Sequence, residues 1–466
     1  MKNEVVEIIK CNELFIKKLR RSDMKNSRII SSVKFISGII IYALILFHPK
    51  ATKAQFAKGA DVSWLSQMES SGRTFNDNSG IQKDCLDILK SKGINALRFR
   101  VWVNPIGNFN NKKDVAYMVL RAKNKGFDVM IDFHMSDSWA DPGKQTKPAA
   151  WSTHSFYQLK TDVYDHVYSV LDTLKSIGVI PKWVQIGNET NDGMLWEDGR
   201  AYKNMGNFAA LIKSGYSAVK AIDSTIQVIV HLSNGYDNNM YRWLFDGLKY
   251  YGAEWDIIGM SVYPYGSKYP SWIVYNGYAQ LNMWDLTSRY NTKIMVCEAG
   301  YPYNQPVEAK NYLLDLIDKT KSAGGLGVFY WEPECYNWQN YGLGAWDPVT
   351  KQPTIAMDAF LDSTATEVAQ GKIIPNNYDI KIYPNPFNPS TTIQYSISKA
   401  SNVLLLIYDS MGRLVKSLVK EYKSPGEYSV RWYGIGDNGM QCSSGIYFVN
   451  LNADTEHQIR KMILLK

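Results

Sequence analysis

A (β/α)8 barrel followed by a small all-β sandwich is the architecture this chain predicts, and three observations predict it. Between Lys58 and about Phe360, eight short apolar runs alternate with helix-like segments, the order and length of repeated βα units. The first run, Gly59-Ala60-Asp61-Val62-Ser63-Trp64, lacks the Gly-rich phosphate loop that a doubly wound sheet carries there. After Phe360 the pattern changes to short alternating strands punctuated by Gly412, Gly426, Gly439 and Gly445, the rhythm of a sandwich.

In chain order, strands are expected to begin near Gly59, Asn95, Phe127, Trp183, Ile226, Asp256, Lys293 and Leu326. Each is a short apolar run, as a sheet buried on both faces requires. Apolar residues at helical spacing place helices at Gln82–Lys92, Asp114–Lys125, Phe156–Ile177, Asn207–Ile222 and Val307–Ala323. The tail is expected to hold strands at Thr392–Ile397, Val403–Asp409, Tyr428–Tyr433, Ile446–Asn450 and His457–Leu465. The expected domains are a signal segment at 1–54, a catalytic barrel at 55–361, a linker at 362–378 and the sandwich at 379–466.

The formal charge of +8 invites a nucleic-acid reading. Its distribution removes that reading. Residues 1–54 hold eleven Lys/Arg against four Asp/Glu, leaving 41 basic and 40 acidic residues for the rest. The folded part therefore carries no polyanion footprint. Within the first segment, Lys25, Arg28 and Lys34 precede the 13-residue apolar stretch Phe35–Phe47. That is too short for a comfortable membrane span, and Thr52-Lys53-Ala54 offers a cleavage site before Gln55. A secreted protein is expected, with Met24 as an alternative start. Beyond that segment Cys85, Cys297, Cys335 and Cys442 are widely spaced, without a metal-ligand pattern. Cys297 reads as a small core hydrophobe, and a Cys297–Cys335 bridge stays open.

Two glutamates carry the chemistry. Glu189 follows the run Trp183-Val184-Gln185-Ile186, and Glu298 ends Lys293-Ile294-Met295-Val296-Cys297. A carboxylate at the C-terminal end of a barrel strand stands at the mouth, where barrel enzymes work. A pair is what glycosidic cleavage needs: one acid for the leaving oxygen, one carboxylate for C1 or for water. Glu189 is expected to be the acid/base and Glu298 the nucleophile, with Asn188 beside a sugar hydroxyl. Arg98 and Arg100 share a strand face, and an inward arginine holds a nucleophilic carboxylate ionised. His134, Tyr263, Trp331, Trp102 and Trp139 complete the candidate supporting and substrate-binding set. Asp132, Asp137 and Asp141 lack metal-ligand spacing, so no metal is expected.

Residues 58–360 resemble glycoside hydrolase family 53, the endo-β-1,4-galactanases. The resemblance rests on Leu97-Arg98-Phe99-Arg100-Val101-Trp102, Trp139-Ala140-Asp141-Pro142-Gly143, Val184-Gln185-Ile186-Gly187-Asn188-Glu189, Glu298-Ala299-Gly300-Tyr301-Pro302 and Tyr330-Trp331-Glu332-Pro333. It implies retaining hydrolysis of β-1,4-galactan in type I arabinogalactan and pectin, with the same two glutamates in the same roles. Family members often bind calcium in a long loop after strand seven. Here only Ala299–Pro306 follows Glu298, so no calcium is expected. The rival readings are an endo-glycanase for mannan, xylan or β-glucan, and a non-catalytic surface glycan-binding protein. The tail, from Ile382-Tyr383-Pro384-Asn385-Pro386 to Lys466, resembles the sorting domain of the type IX secretion system. That implies the secretion machinery as partner and an extracellular or outer-surface location for a monomeric enzyme.

Overall fold

The structure, a computed structural model, describes residues 55–267, 272–361, 379–453 and 456–465. The expected signal segment and linker lie outside the described residues. The chain divides into two compact units after Leu361.

In the first unit eight parallel strands close into a barrel: β1 (Ala57–Asp61), β2 (Ala96–Val101), β3 (Asp128–Phe133), β4 (Trp183–Ile186), β5 (Gln227–Leu232), β6 (Ile257–Val262), β7 (Lys293–Ala299) and β8 (Gly327–Trp331). β1 pairs with both β2 and β8, which closes the ring. The helices between them are α1 (Cys85–Ser91), α2 (Lys112–Asn124), α3 (Phe156–Ser176), α4 (Met205–Ile222), α5 (Asn238–Tyr250), α6 (Trp272–Tyr290) and α7 (Pro306–Ser322). A 3-10 turn, Ile355–Phe360, stands where an eighth helix would be. Helix starts follow local chemistry. Asp84, Asn111, Asn204 and Asp237 each accept a backbone N–H at an N-cap. Ser155 and Gln158 form a capping box on α3.

The barrel is filled in layers. Its floor is Ala57, Ala96, Met130, Trp183, Ile229, Ile257, Met295, Cys297 and Phe329. Gly59 admits Phe329: a Cβ there would fall 2.2 Å from the ring. Gly259 admits Cys297 in the same way, at 2.8 Å from Sγ. Above this floor the inward positions turn polar: Asp61, Arg98, Asp132, Gln185, His231 and Ser261, all buried. The layer change from apolar to polar separates stability from function along the barrel axis.

One irregularity decides the site. Met260 pairs with Val296 but the next residue, Ser261, pairs with Glu298. The β8 side shows the same extra residue, Val328 opposite Val296 and Tyr330 opposite Ala299. Cys297 is therefore bulged. A bulge re-aims the residue that follows it. Strict alternation with Met295 would send Glu298 outward; the bulge lets Cys297 fill the floor and Glu298 still face the mouth.

The second unit has two antiparallel sheets. One has order β9-β10-β13, with β9 (Asp379–Tyr383), β10 (Thr391–Ile397) and β13 (Gly426–Trp432). The other has order β12-β11-β14-β15, with β11 (Ser401–Asp409), β12 (Leu414–Lys423), β14 (Gly445–Ala453) and β15 (Glu456–Leu464). Ile393, Tyr395 and Trp432 from the first sheet and Leu405, Val449 and Met462 from the second share one core. β9 and β12 add to the five strands expected from sequence. Trp432 is buried and donates its indole N–H to the Ile435 carbonyl. It belongs to the sandwich core and offers no surface for a sugar. Cys297 and Cys335 are buried free thiols, not bridged to each other, and Cys85 is likewise a free thiol.

Candidate active site

Glu189 and Glu298 open into one cleft of about 560 Å³ at the C-terminal mouth of the barrel. His134, Trp139, Asn188, Tyr263 and Trp331, all expected from sequence, line the same cleft. So do Trp64, Asp141, Gln339, Asn340 and Tyr341, which sequence reasoning did not select. Trp102 does not line it. Its ring packs edge-on against Trp139 at 5.3 Å and His134 at 6.3 Å, so its place is behind the wall.

Each glutamate reaches the cleft by a local device. Gly187, just past β4, has φ 81°, and Glu189 itself sits at φ 44°. Left-handed backbone in a glutamate is costly, and such strain gathers at functional sites. A Cβ on Gly187 would come within 2.5 Å of Thr190 Cγ2, so glycine is required at that turn. Glu298 arrives through the β7 bulge.

Their partners differ in charge. Glu298 Oε1 meets Arg98 Nη1 at 2.9 Å, and its Oε2 accepts from the Tyr263 hydroxyl at 3.2 Å. Glu189 Oε1 accepts from the neutral Ser261 hydroxyl at 2.6 Å. Ser261 Oγ lies 2.9 Å from His231 Nε2. Gln185 Nε2 is 3.0 Å from His231 Nδ1, and the Glu189 backbone N–H points at the same nitrogen. Asn188 Oδ1, an acceptor, also stands 3.1 Å from that nitrogen, so the assignment comes from Ser261: its one hydroxyl hydrogen goes to Glu189, and His231 must therefore donate from Nε2. A chain of donors then runs His231 to Ser261 to Glu189.

Arg98 is the hub. Its Nη1 also meets Asp61 at 2.7 Å, and its Nη2 meets Asp132 at 2.8 Å and Asn188 Oδ1 at 3.0 Å. Burial opposes its charge, but Asp132, Glu298 and Asp61 outweigh that and keep it protonated. The same guanidinium, with His134, holds Asp132 down at about 2 against burial. Burial keeps His134 and His231 neutral. It also drives both glutamates upward: Arg98 resists this at Glu298, and Ser261 resists it at Glu189. Each glutamate's charge is the other's obstacle, so the pair holds one proton more readily than none. Burial carries Glu189 up to about 7 and Glu298 up to about 8, and the guanidinium 2.9 Å from Glu298 is the contact that favours charge on that carboxylate.

The aromatic wall is continuous. Trp64 meets Trp139 at 5.7 Å and Trp331 at 5.0 Å, and Trp331 meets Tyr341 at 4.7 Å. Arg100 stays behind it, its guanidinium 4.0 Å from the Trp139 ring and 4.6 Å from Trp102. Arg100 thus braces the wall while Arg98 holds the carboxylate. His134 donates from Nε2 to Asp132 and accepts the Ala140 N–H at Nδ1. Asn188 donates to the Ala140 carbonyl, which leaves its second N–H for the cleft. Among the described residues no group of three or more His, Cys, Asp or Glu is arranged to hold a metal ion. The turn Gly300–Gln305 after Glu298 contains no carboxylate.

Comparison with known proteins agrees with this geometry. Residues 57–377 match Glycosyl hydrolase family 53, and residues 381–465 match a Secretion system C-terminal sorting domain. The probable arabinogalactan endo-beta-1,4-galactanase A of Neosartorya fischeri is 34% identical over 65% of this chain and 90% of its own. The Ignisphaera aggregans GH53 catalytic domain superposes with a TM-score of 0.59 at 29% identity, over 67% of this chain and 97% of its own. One of two fungal beta-1,4-galactanases gives 0.61 at 27%, over 65% and 98%. The tail marks a secreted protein destined for the cell surface. A closed barrel with paired glutamates at its mouth, matched along its length, makes this chain a member of glycosyl hydrolase family 53.

Proposed function

We propose that the barrel is a retaining endo-β-1,4-galactanase acting on the galactan of type I arabinogalactan and pectin. The observation that carries the mechanism is the contrast between the glutamates: an arginine on Glu298, a neutral hydroxyl on Glu189. Glu298, ionised, attacks C1 of the sugar. Glu189 gives its proton to the departing glycosidic oxygen. Glu189 then takes a proton from water, and that water releases the sugar from Glu298 with net retention. Asn188, through its remaining N–H, holds the hydroxyl next to the reacting carbon. The aromatic wall supports sugar faces on either side of the scissile bond. The family relatives, named for galactan, support the choice of polymer.

The test is reducing-sugar release by the secreted enzyme from unbranched β-1,4-galactan, with mannan, xylan and β-glucan alongside. Release from galactan, with the β-anomer formed first in NMR and loss in Glu298→Gln, is expected. Release from another glycan would keep the mechanism and overturn the polymer. An α-anomer formed first would overturn retention. No release from any glycan would leave a binding protein.

A further inference from the structure

The strand β8 is followed by a loop with unusual backbone. Asn337, Gln339 and Asn340 have φ of 55°, 50° and 61°. Three left-handed non-glycine residues so close together oppose intrinsic preference. The surroundings hold them there. The Tyr330 hydroxyl lies 2.9 Å from the Leu343 carbonyl and 3.0 Å from that of Gly344. Arg73 stacks on the rings of Tyr336 and Trp338, at 4.7 and 5.1 Å, and donates to the Tyr336 carbonyl. Tyr341 is wedged against Trp331 and Trp64.

This fixed loop presents two exposed carboxamides to the cleft, Gln339 and Asn340. Neither amide has a partner among the described residues, and neither takes part in the acid, base or nucleophile network. The other amide on the wall, Asn188, has its Oδ1 held by Arg98 and one N–H by Ala140, so it offers the cleft a donor but no acceptor beside it, and His134 is held by Asp132. A carboxamide places a donor beside an acceptor, the complement of two adjacent sugar hydroxyls. In a 1,4-linked galactan, O4 is spent in the linkage, and O2 and O3 remain as an equatorial pair. In mannan O2 is axial, so the pair keeps its spacing but points out of the ring plane, away from an amide aligned to the equatorial pair.

We propose that Gln339 and Asn340 form a specificity-determining subsite at the rim. It binds the O2–O3 diol of a galactosyl unit seated on the Trp331–Tyr341 wall and discriminates against mannan. This rests on the proposed galactanase reading. The left-handed backbone is what turns both amides toward the polymer, and the anchoring makes the subsite ready before substrate arrives.

The test is the double substitution Gln339→Gly, Asn340→Gly. Glycine accepts the left-handed backbone, so the loop keeps its path while both amides go. KM for unbranched galactan is expected to rise roughly tenfold, with kcat within about twofold, as for a few neutral hydrogen bonds lost from binding alone. A short nitrophenyl β-galactoside, which does not reach the rim, should be cleaved as by wild type, and the preference for galactan over mannan should narrow. Unchanged KM for galactan, or equal loss on polymer and short substrate, would overturn the subsite alone. A wild-type enzyme silent on galactan would overturn the galactanase reading with it.

Discussion

Ser261 is the only hydrogen-bond partner of the Glu189 carboxylate among the described residues, and under the proposed mechanism it should set where activity ends on the alkaline side. That mechanism needs a proton on Glu189 and none on Glu298. Activity should then be lost in acid when Glu298 gains a proton, and in alkali when Glu189 loses one. The Ser261 hydroxyl stabilises the charged form of Glu189 and so lowers its pKa against burial. Ser261→Ala removes that stabilisation. The alkaline limb of kcat/KM should move to higher pH, and a limb that stays or moves lower would disprove the coupling. Glu298→Gln should abolish turnover, and Glu189→Gln should cost roughly 10²–10⁴-fold on natural linkages. It should cost far less on nitrophenyl leaving groups, which need no proton. Equal impairment on both would remove the acid/base role. The sequence showed Glu189, Glu298 and Arg98 because each sits within or just beyond an apolar run that reads as a strand. It did not show Ser261, His231, Trp64 or Tyr341 as a site, because their meeting depends on closure of the ring.

At the scale of elements, β7 teaches the most. Its apolar run marks a strand plainly, yet alternation from Met295 would aim Glu298 away from the mouth. Only pairing with β6 and β8 reveals the bulge. The bulge needs room on the floor, and Gly259 gives it. In Gly259→Ala the new Cβ would lie 2.7 Å from Ile229 Cγ2 and 2.8 Å from Cys297 Sγ. Overpacking of this kind costs about 1–3 kcal/mol, and relief by displacement of Cys297 moves Glu298. Unfolding midpoint and kcat should therefore fall together; a fall in midpoint with kcat intact would detach the bulge from catalysis. Among the helices, α5 was legible in principle. Tyr241, Leu244, Phe245 and Leu248 recur at helical spacing after the Asp237 cap, and the sequence reading did not draw it. α6 was less so: β-branched and aromatic residues and Gly277 weaken its helical signal. In the sandwich β12 escaped because its residues are largely half-buried or exposed, without a clean apolar face.

For the whole molecule, the division after Leu361 follows from separate cores. The barrel core draws only on residues of the first unit and the sandwich core only on those of the second. Residues 55–361 alone should fold and cleave galactan with kcat/KM within about twofold of the longer chain, since each core is complete. A truncated barrel that aggregates or unfolds would show that the tail stabilises it. The boundary was readable because polar, small residues replace the βα rhythm there. No helix among the described residues is long and apolar enough to cross a membrane.

The crowding of Asp61, Asp132, Glu189 and Glu298 around Arg98 has a pharmacological consequence. Anions outnumber the cation at the centre, so the cavity favours positive charge where the proposed mechanism develops an oxocarbenium ion. An iminosugar with the galacto configuration presents that charge permanently. Its affinity should strengthen as the pair sheds its last proton and weaken again once the amine itself deprotonates. A neutral lactam of the same shape would show neither trend.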